Sequence, residues 1–255
     1  MLVAPPTRRV WLDLILPPLC AFCGDEVDGV ELCRRCQRIL VDAWPPLAVA
    51  CRRCGLPRPL PLEDTAHPPE HCGECADRQF DFDSVAVLAV YQGAVREAVV
   101  ATKRAGTVAL AAALASRLAE RISTEQAFVA PDLVTFVPSH LLRRLTRGGA
   151  SGSERIAAGV ARRLGVPVAG LLRTTRWVGK QSLLPDERRR ENVRGAFAVK
   201  SGYADKRSAE LRDRRVLLVD DVLTTGATAS EVARVLKQAG AESVHLAVVA
   251  RAVRH

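Results

Sequence analysis

The residues best suited to chemistry fall into two groups. The first is Asp220 and Asp221, followed by Thr224, Thr225, Gly226, Ala227 and Thr228. Adjacent carboxylates accept hydrogen bonds from vicinal hydroxyls such as those of ribose, and they suit the neighbourhood of a metal-bound diphosphate. A small, hydroxyl-rich loop that opens a helix supplies unpaired backbone N–H groups and the positive end of the helix dipole, and both favour phosphate. Together these residues describe a site for a sugar carrying phosphate at one end, with the phosphate on the Thr/Gly loop and the diol on the aspartates. The plainer alternative is a strand-end Asp pair capping a turn, with the threonines capping the helix. The union of apolar strand, paired aspartates and T-T-G-x-T loop favours the ligand site. No G-x-x-x-x-G-K-[ST] pattern occurs, so a P-loop nucleotide hydrolase is set aside.

The second group is the eight cysteines, arranged as Cys20/Cys23, Cys33/Cys36, Cys51/Cys54 and Cys72/Cys75. Each pair is C-x-x-C, which grips one metal ion from a tight turn, and two pairs complete a tetrahedral zinc shell. Four pairs combine in three ways. C-A-F-C-G at 20–24 and C-R-R-C-G at 51–55, each followed by a plainer pair, favour two consecutive zinc ribbons over an interleaved arrangement. These are Cys20, Cys23, Cys33 and Cys36, then Cys51, Cys54, Cys72 and Cys75. A disulfide framework needs an oxidising compartment that nothing here supports. A redox pair would not require three more. His67 and His71 lie near Cys72, but as lone histidines they read as neighbours of the metal shell or as exposed residues. Structural zinc is expected, because this Pro-rich segment has little apolar material to fold on.

Both groups need elements to hold them. Val216, Leu217, Leu218 and Val219 run without a polar break, as in a strand buried on both faces, and the helix after the loop is expected over 229–239. Composition shifts between Asp77 and Asp83, which predicts a boundary between a zinc domain at 1–80 and a second domain at 84–255. There the pattern predicts strands at 84–91, 132–137, 166–172, 193–199 and 243–250. Helices are expected at 94–104, 107–122 and 153–164, the last with Ser153 as its N-cap. Alternating strands and helices imply an α/β fold, a parallel sheet flanked by helices, with ligands at the C-terminal ends of the strands. A second anion cradle is expected after Val137, where Arg143, Arg144 and Arg147 precede a Gly/Ser run; a plain surface loop is the equal alternative.

Charge is uneven. Residues 1–80 hold 9 Lys/Arg against 11 Asp/Glu, whereas residues 81–255 hold 28 against 17. A basic second half fits phosphate-rich ligands or nucleic acid, although a solvated Arg-rich surface accounts for charge alone. No segment reads as a membrane span. The apolar stretch at 10–19 is short, carries Asp13 and lacks a small-x-small cleavage site, so a short helix or anchoring segment and a cytoplasmic location are expected.

Residues 216–230 resemble the phosphoribosyl-diphosphate (PRPP) binding motif of type I phosphoribosyltransferases. The whole chain is similar to the ComF (ComFC/GntX-like) family, which joins an N-terminal cysteine-rich zinc domain to a phosphoribosyltransferase domain. Cys20-Ala21-Phe22-Cys23-Gly24 after Leu16-Pro17-Pro18 resembles that family's entry into its zinc domain. Lys103 falls where the family has a Leu-Lys-aromatic turn. Val137-Pro138 with Arg143, Arg147 and Gly148 resembles its V-P…R…R-G segment, and Gln181, Arg189, Asn192 and Phe197 its Q…R…N…F stretch.

The resemblance implies that Asp220 and Asp221 hold the ribose hydroxyls and that residues 224–228 hold the 5′-phosphate. It places Lys103, Arg143 and Arg147 near the diphosphate, with Mg²⁺ arriving on PRPP. Phosphoribosyl transfer to a nitrogen acceptor is the implied activity. The chain departs from the family's R-G-F-N-Q at Arg147-Gly148-Gly149-Ala150-Ser151, and at Arg104, which replaces the aromatic; both bear on the acceptor side. The family's link to natural competence implies single-stranded DNA or competence-machinery proteins as partners. A non-catalytic DNA-associated factor is therefore one alternative and a PRPP or nucleotide sensor another. Few aromatics (Trp177 and Phe197) lie in the basic region to stack on single strands.

Overall fold

The computed structural model describes residues 17–20, 22–27, 32–36, 38, 50–58, 72–103, 107–124, 130–138, 150–176, 186–200 and 211–253, with the side chains of 186–189 left aside. The chain order is β1 (Ser84–Val90), α1 (Gly93–Ala101), α2 (Val108–Thr124), β2 (Leu133–Phe136), α3 (Gly152–Leu164), β3 (Leu172–Thr174), α4 (Asp186–Val193), β4 (Phe197–Val199), β5 (Arg215–Leu223), α5 (Ala227–Gln238) and β6 (Ser243–Arg251). Strands β1, β6, β5 and β2 lie in that order in one sheet, all parallel, and β3 and β4 form a separate antiparallel pair. No helix among the described residues is long and apolar enough to cross a membrane.

The unbroken apolar run of β5 is explained by its place between two neighbours and between two helical layers. Leu217 and Val219 join the cluster formed with α2 and α3, whereas Val216 and Leu218 join the cluster formed with α5. Alternate residues of a strand face opposite sides, so a strand covered on both faces must be apolar at every position. Helices α2 and α3 meet closely. A Cβ on Gly159 would lie 2.5 Å from the Cβ of Ala115, so glycine is what lets the two backbones approach.

Several expected elements shift. The strand expected at 193–199 is the end of α4 followed by β4, because Gly195, at φ 69, turns the chain between them. In the expected strand 166–172, Val168 makes one parallel bridge to Val134, and the regular strand starts only at Leu172. Helix α3 begins at Gly152, and its N-cap is Ser151 rather than Ser153. The Ser151 hydroxyl accepts from the Glu154 amide at 3.1 Å, and the Glu154 carboxylate accepts from the Ser151 amide at 3.4 Å. This capping box satisfies two otherwise unpaired donors and outcompetes a cap two residues later.

Overpacking the α2–α3 contact tests this arrangement. Gly159→Leu is expected to destabilise the protein by about 1–3 kcal/mol, measured as a lowered denaturant midpoint with an unchanged slope.

Candidate functional site

Strand β5 does not stop before the aspartates. It keeps its parallel register with β6 from Arg215↔Ser243 to Leu223↔Arg251, so Asp220 and Asp221 are strand residues near its C-terminal end. The helix then starts at Ala227, two residues earlier than expected, which makes Ala227 and Thr228 part of its first turn. Thr224, Thr225 and Gly226 form the whole connection. Gly226 sits at φ 82 as the N-cap residue, a left-handed conformation that glycine adopts without strain. The Thr225 hydroxyl accepts from the Ala227 amide at 3.4 Å. The start of α5 therefore faces the strand end with backbone donors, as an anion site requires.

Two other elements reach the aspartates. The Ser153 hydroxyl, on the first turn of α3, donates to Asp220 Oδ1 at 3.1 Å, and the Asp221 amide donates to the same oxygen at 2.8 Å. Lys103, in the turn after α1, pairs its Nζ with Asp221 Oδ2 at 2.7 Å. Burial and the adjacent Asp221 carboxylate push Asp220 up to about 7, against the lowering effect of the Asp221 amide, Ser153 and Lys103. Beneath the Lys103 turn, the buried Thr102 hydroxyl donates to Val99 O at 2.7 Å. A Cβ on Gly152 would fall 2.9 Å from that hydroxyl oxygen, so the start of α3 and the Lys103 turn are closely apposed.

The structure thus brings together Lys103, Asp220, Asp221 and the segment 224–228. Arg143, Arg147, Gly148 and Gly149 lie outside the described residues, as do Arg104, Gln181, His67 and His71, and the side chain of Arg189. Ala150 is exposed, and Ser151 is the helix cap. Arg190 and Arg194 from the basic stretch line a cleft of about 280 Å³ with Phe80, Gly226 and Arg234, beside the first turn of α5. Ser153 is the site residue that sequence reasoning missed. The S-x-x-E spacing of Ser151 and Glu154 was the available signal, since assigning the cap to Ser151 frees Ser153 for another partner.

The eight cysteines form the two consecutive clusters, Cys20 with Cys23, Cys33 and Cys36, and Cys51 with Cys54, Cys72 and Cys75. Within each, the ligand atoms all lie within 4.8 Å of one another. Sulfur–sulfur distances are 3.7 Å for Cys23–Cys33, 3.7 Å for Cys51–Cys75 and 3.4 Å for Cys54–Cys72. A tetrahedron with Zn–S of about 2.3 Å has edges of about 3.8 Å, so the sulfurs fit structural zinc. The two C-x-x-C-G turns share one design. Gly24 and Gly55 have φ of 82 and 73, and their amides donate to Cys20 O at 2.9 Å and Cys51 O at 2.7 Å. Burial and neighbouring sulfurs push the Cys36 thiol up, the opposite of what a ligand thiolate needs unless a cation is bound.

Two measurements check these assignments. Native mass spectrometry is expected to find about two zinc ions per chain. For Asp220 the folded carboxyl titrates above its unfolded value of about 3.9, so its contribution favours the fold at low pH and is lost as pH rises through about 7. Between pH 5 and pH 8 the ligand-free wild type is expected to lose about 5–10 °C of melting temperature relative to Asp220→Asn, from about two pKa units at roughly 1.4 kcal/mol each; parallel pH profiles would refute the assignment.

Residues 148–254 match the family described as Phosphoribosyl transferase domain, and residues 11–76 match the Double zinc ribbon domain. The chain is 26% identical over 228 residues to Competence protein F of Haemophilus influenzae, covering 87% of this chain and 90% of the relative. It is 26% identical over 239 residues to the DNA utilization protein YhgH of Salmonella typhimurium, covering 91% and 96%. Among solved structures, glutamine PRPP amidotransferase from B. subtilis, complexed with ADP and GMP, aligns at a TM-score of 0.36 and 24% identity. That alignment covers 56% of this chain and spans about a quarter of the other (27%). The chain thus matches a double zinc ribbon followed by a phosphoribosyl transferase domain, the order that the resemblance to the ComF family implied, and is similar along most of its length to Competence protein F and YhgH.

Proposed function

We propose that the chain binds PRPP with Mg²⁺ and transfers its phosphoribosyl group to a nitrogen nucleophile. One observation carries this reading: paired carboxylates near the end of a buried parallel strand, followed after a three-residue connection by a helix whose N-terminus is opened by a left-handed glycine. A ribose 5-phosphate has both features to match, a diol for Asp220 and Asp221 and a dianion for residues 224–228.

In this reading the Ser153 hydroxyl and the Asp221 amide fix Asp220 Oδ1, so the carboxylate is oriented before ligand arrives. Lys103, paired with Asp221 in the free protein, exchanges part of that pairing for the diphosphate and stabilises charge as it leaves C1. Arg143 and Arg147 are assigned to the same diphosphate on the family resemblance. Mg²⁺, where it arrives with the substrate's phosphates, would neutralise part of their charge. The carbon left behind has oxocarbenium character and is attacked by the nitrogen acceptor. The names of the two relatives, a competence protein and a DNA utilization protein, suggest that the product serves nucleic-acid handling.

Calorimetry with PRPP and Mg²⁺ tests the binding half. Asp220→Asn combined with Asp221→Asn is expected to abolish the signal, and unchanged binding in that variant would refute the site. Lys103→Ala is expected to weaken binding about tenfold, in line with the loss of one charge-assisted contact worth roughly 1.5–3 kcal/mol. Diphosphate release across a panel of bases and amines distinguishes turnover from a sensor that only binds.

A further inference from the structure

Arg251 is the last residue of β6 and is 6% exposed, at the end of a strand that is otherwise apolar from Leu246 onward. Its guanidinium spans two parts of the molecule. Nε donates to Cys54 O at 2.8 Å, in the C-x-x-C-G turn of the second cysteine cluster. Nη1 donates to Leu223 O at 3.1 Å and to Thr224 O, the carbonyls that begin the connection between β5 and α5. The side chain therefore joins a metal-cluster backbone to the root of the phosphate loop through charge-assisted hydrogen bonds.

The contact is tightly built from both sides. A Cβ on Gly55, the residue after Cys54, would lie 2.5 Å from Val87 Cγ2 and 3.5 Å from Arg251 Cδ, so this turn is seated directly on the sheet. Arg52 O accepts from the Val85 amide at 2.8 Å and anchors the same turn to β1. A second strap from the same cluster crosses the loop. A Cβ on Gly226 would lie 2.7 Å from the Phe80 ring, and Ser230 Oγ donates to Asp81 Oδ2 at 2.6 Å. In the first cluster, Cys20 and Cys36 pack with the α2–α3 side of the core.

We propose that Arg251 is a positioning residue through which the second cysteine cluster sets the conformation of residues 224–228, so that metal at that cluster and phosphate at the loop favour one another. The coupling is between two binding sites and is reciprocal; its phosphate half rests on the function proposed above. Arginine suits the role because its planar fork reaches divergent carbonyls at once, whereas a lysine ammonium is a point charge.

The experiment is hydrogen exchange, read by mass spectrometry on the full-length, zinc-loaded chain, followed in the segment 222–230 and, as a reference, in 108–124. Arg251→Lys is expected to speed exchange in 222–230 about tenfold while leaving 108–124 unchanged and the zinc content the same. Cys72→Ser, which loosens the second cluster, is expected to do likewise, and Cys23→Ser, which loosens the first, is not. Unchanged loop exchange in Arg251→Lys, or equal acceleration in both segments, overturns the proposal. Should Arg251→Lys fail to fold, the two cysteine variants decide, and equal loop exchange in them overturns it. With PRPP and Mg²⁺ as probe, Arg251→Lys is expected to bind about tenfold more weakly. A wild-type chain that does not bind PRPP overturns the proposed function while the exchange result still decides the coupling of cluster to loop.

Discussion

The parallel pairing of β5 with β6 continues past both aspartates and ends only at Leu223↔Arg251. Without it, Asp220 and Asp221 would sit in a loop, free to turn toward water and away from each other. Pairing fixes their backbone and leaves Asp220 buried beside a second carboxylate, so desolvation first and repulsion from Asp221 second disfavour its ionised form. The rise of Asp220 to about 7 expresses that cost, which Ser153 and Lys103 partly offset. Under the proposed function, hydroxyl donors or a cation brought to the pair by a ligand would relieve that cost further.

Three helical starts or turns meet at that strand end. Helix α5 offers its N-terminus through Gly226, α3 offers Ser153 from its first turn, and the turn after α1 offers Lys103. Each belongs to a different strand–helix unit, and parallel strand order is what delivers them to one edge. The second cysteine cluster adds a fourth wall. It is seated on β1 through Gly55 and Arg52, and on β5 and β6 through Arg251. The second cysteine cluster is thus packed against the sheet rather than strung beside it.

Much of this was legible in the residues. The apolar run 216–219, the paired aspartates and the small loop gave the strand, the carboxylates near its end and the short connection into a helix, because each rests on local sterics. The C-x-x-C-G repeat gave the cluster pairing, since metal knuckles are short-range structures. Boundaries were less legible. Nothing in the run of β5 indicated that β6 would supply partners as far as Leu223, and the end of α4 read as strand because Val193 and Phe197 are apolar in either state. Ser153 was mistaken for a cap although Ser151 and Glu154 carried the capping-box spacing.

By itself, then, the sequence determined the parallel α/β class, the two four-cysteine clusters and the run of paired aspartates into a small loop and helix start, because these follow from residue type and near-neighbour spacing. The family resemblance had already placed Lys103 near this site; only the tertiary structure shows that it pairs with Asp221 and that Ser153 and Arg251 act as further supports. Lys103, Ser153 and Arg251 are separated from the residues they hold by 118, 67 and 27 or more positions. Contacts of that span depend on how strands are ordered in the sheet, and no local pattern encodes that order. A lone arginine ending an apolar strand gave no hint that it would tie a cysteine turn to the connection between β5 and α5 until the fold brought the two carbonyl sets within reach of one side chain.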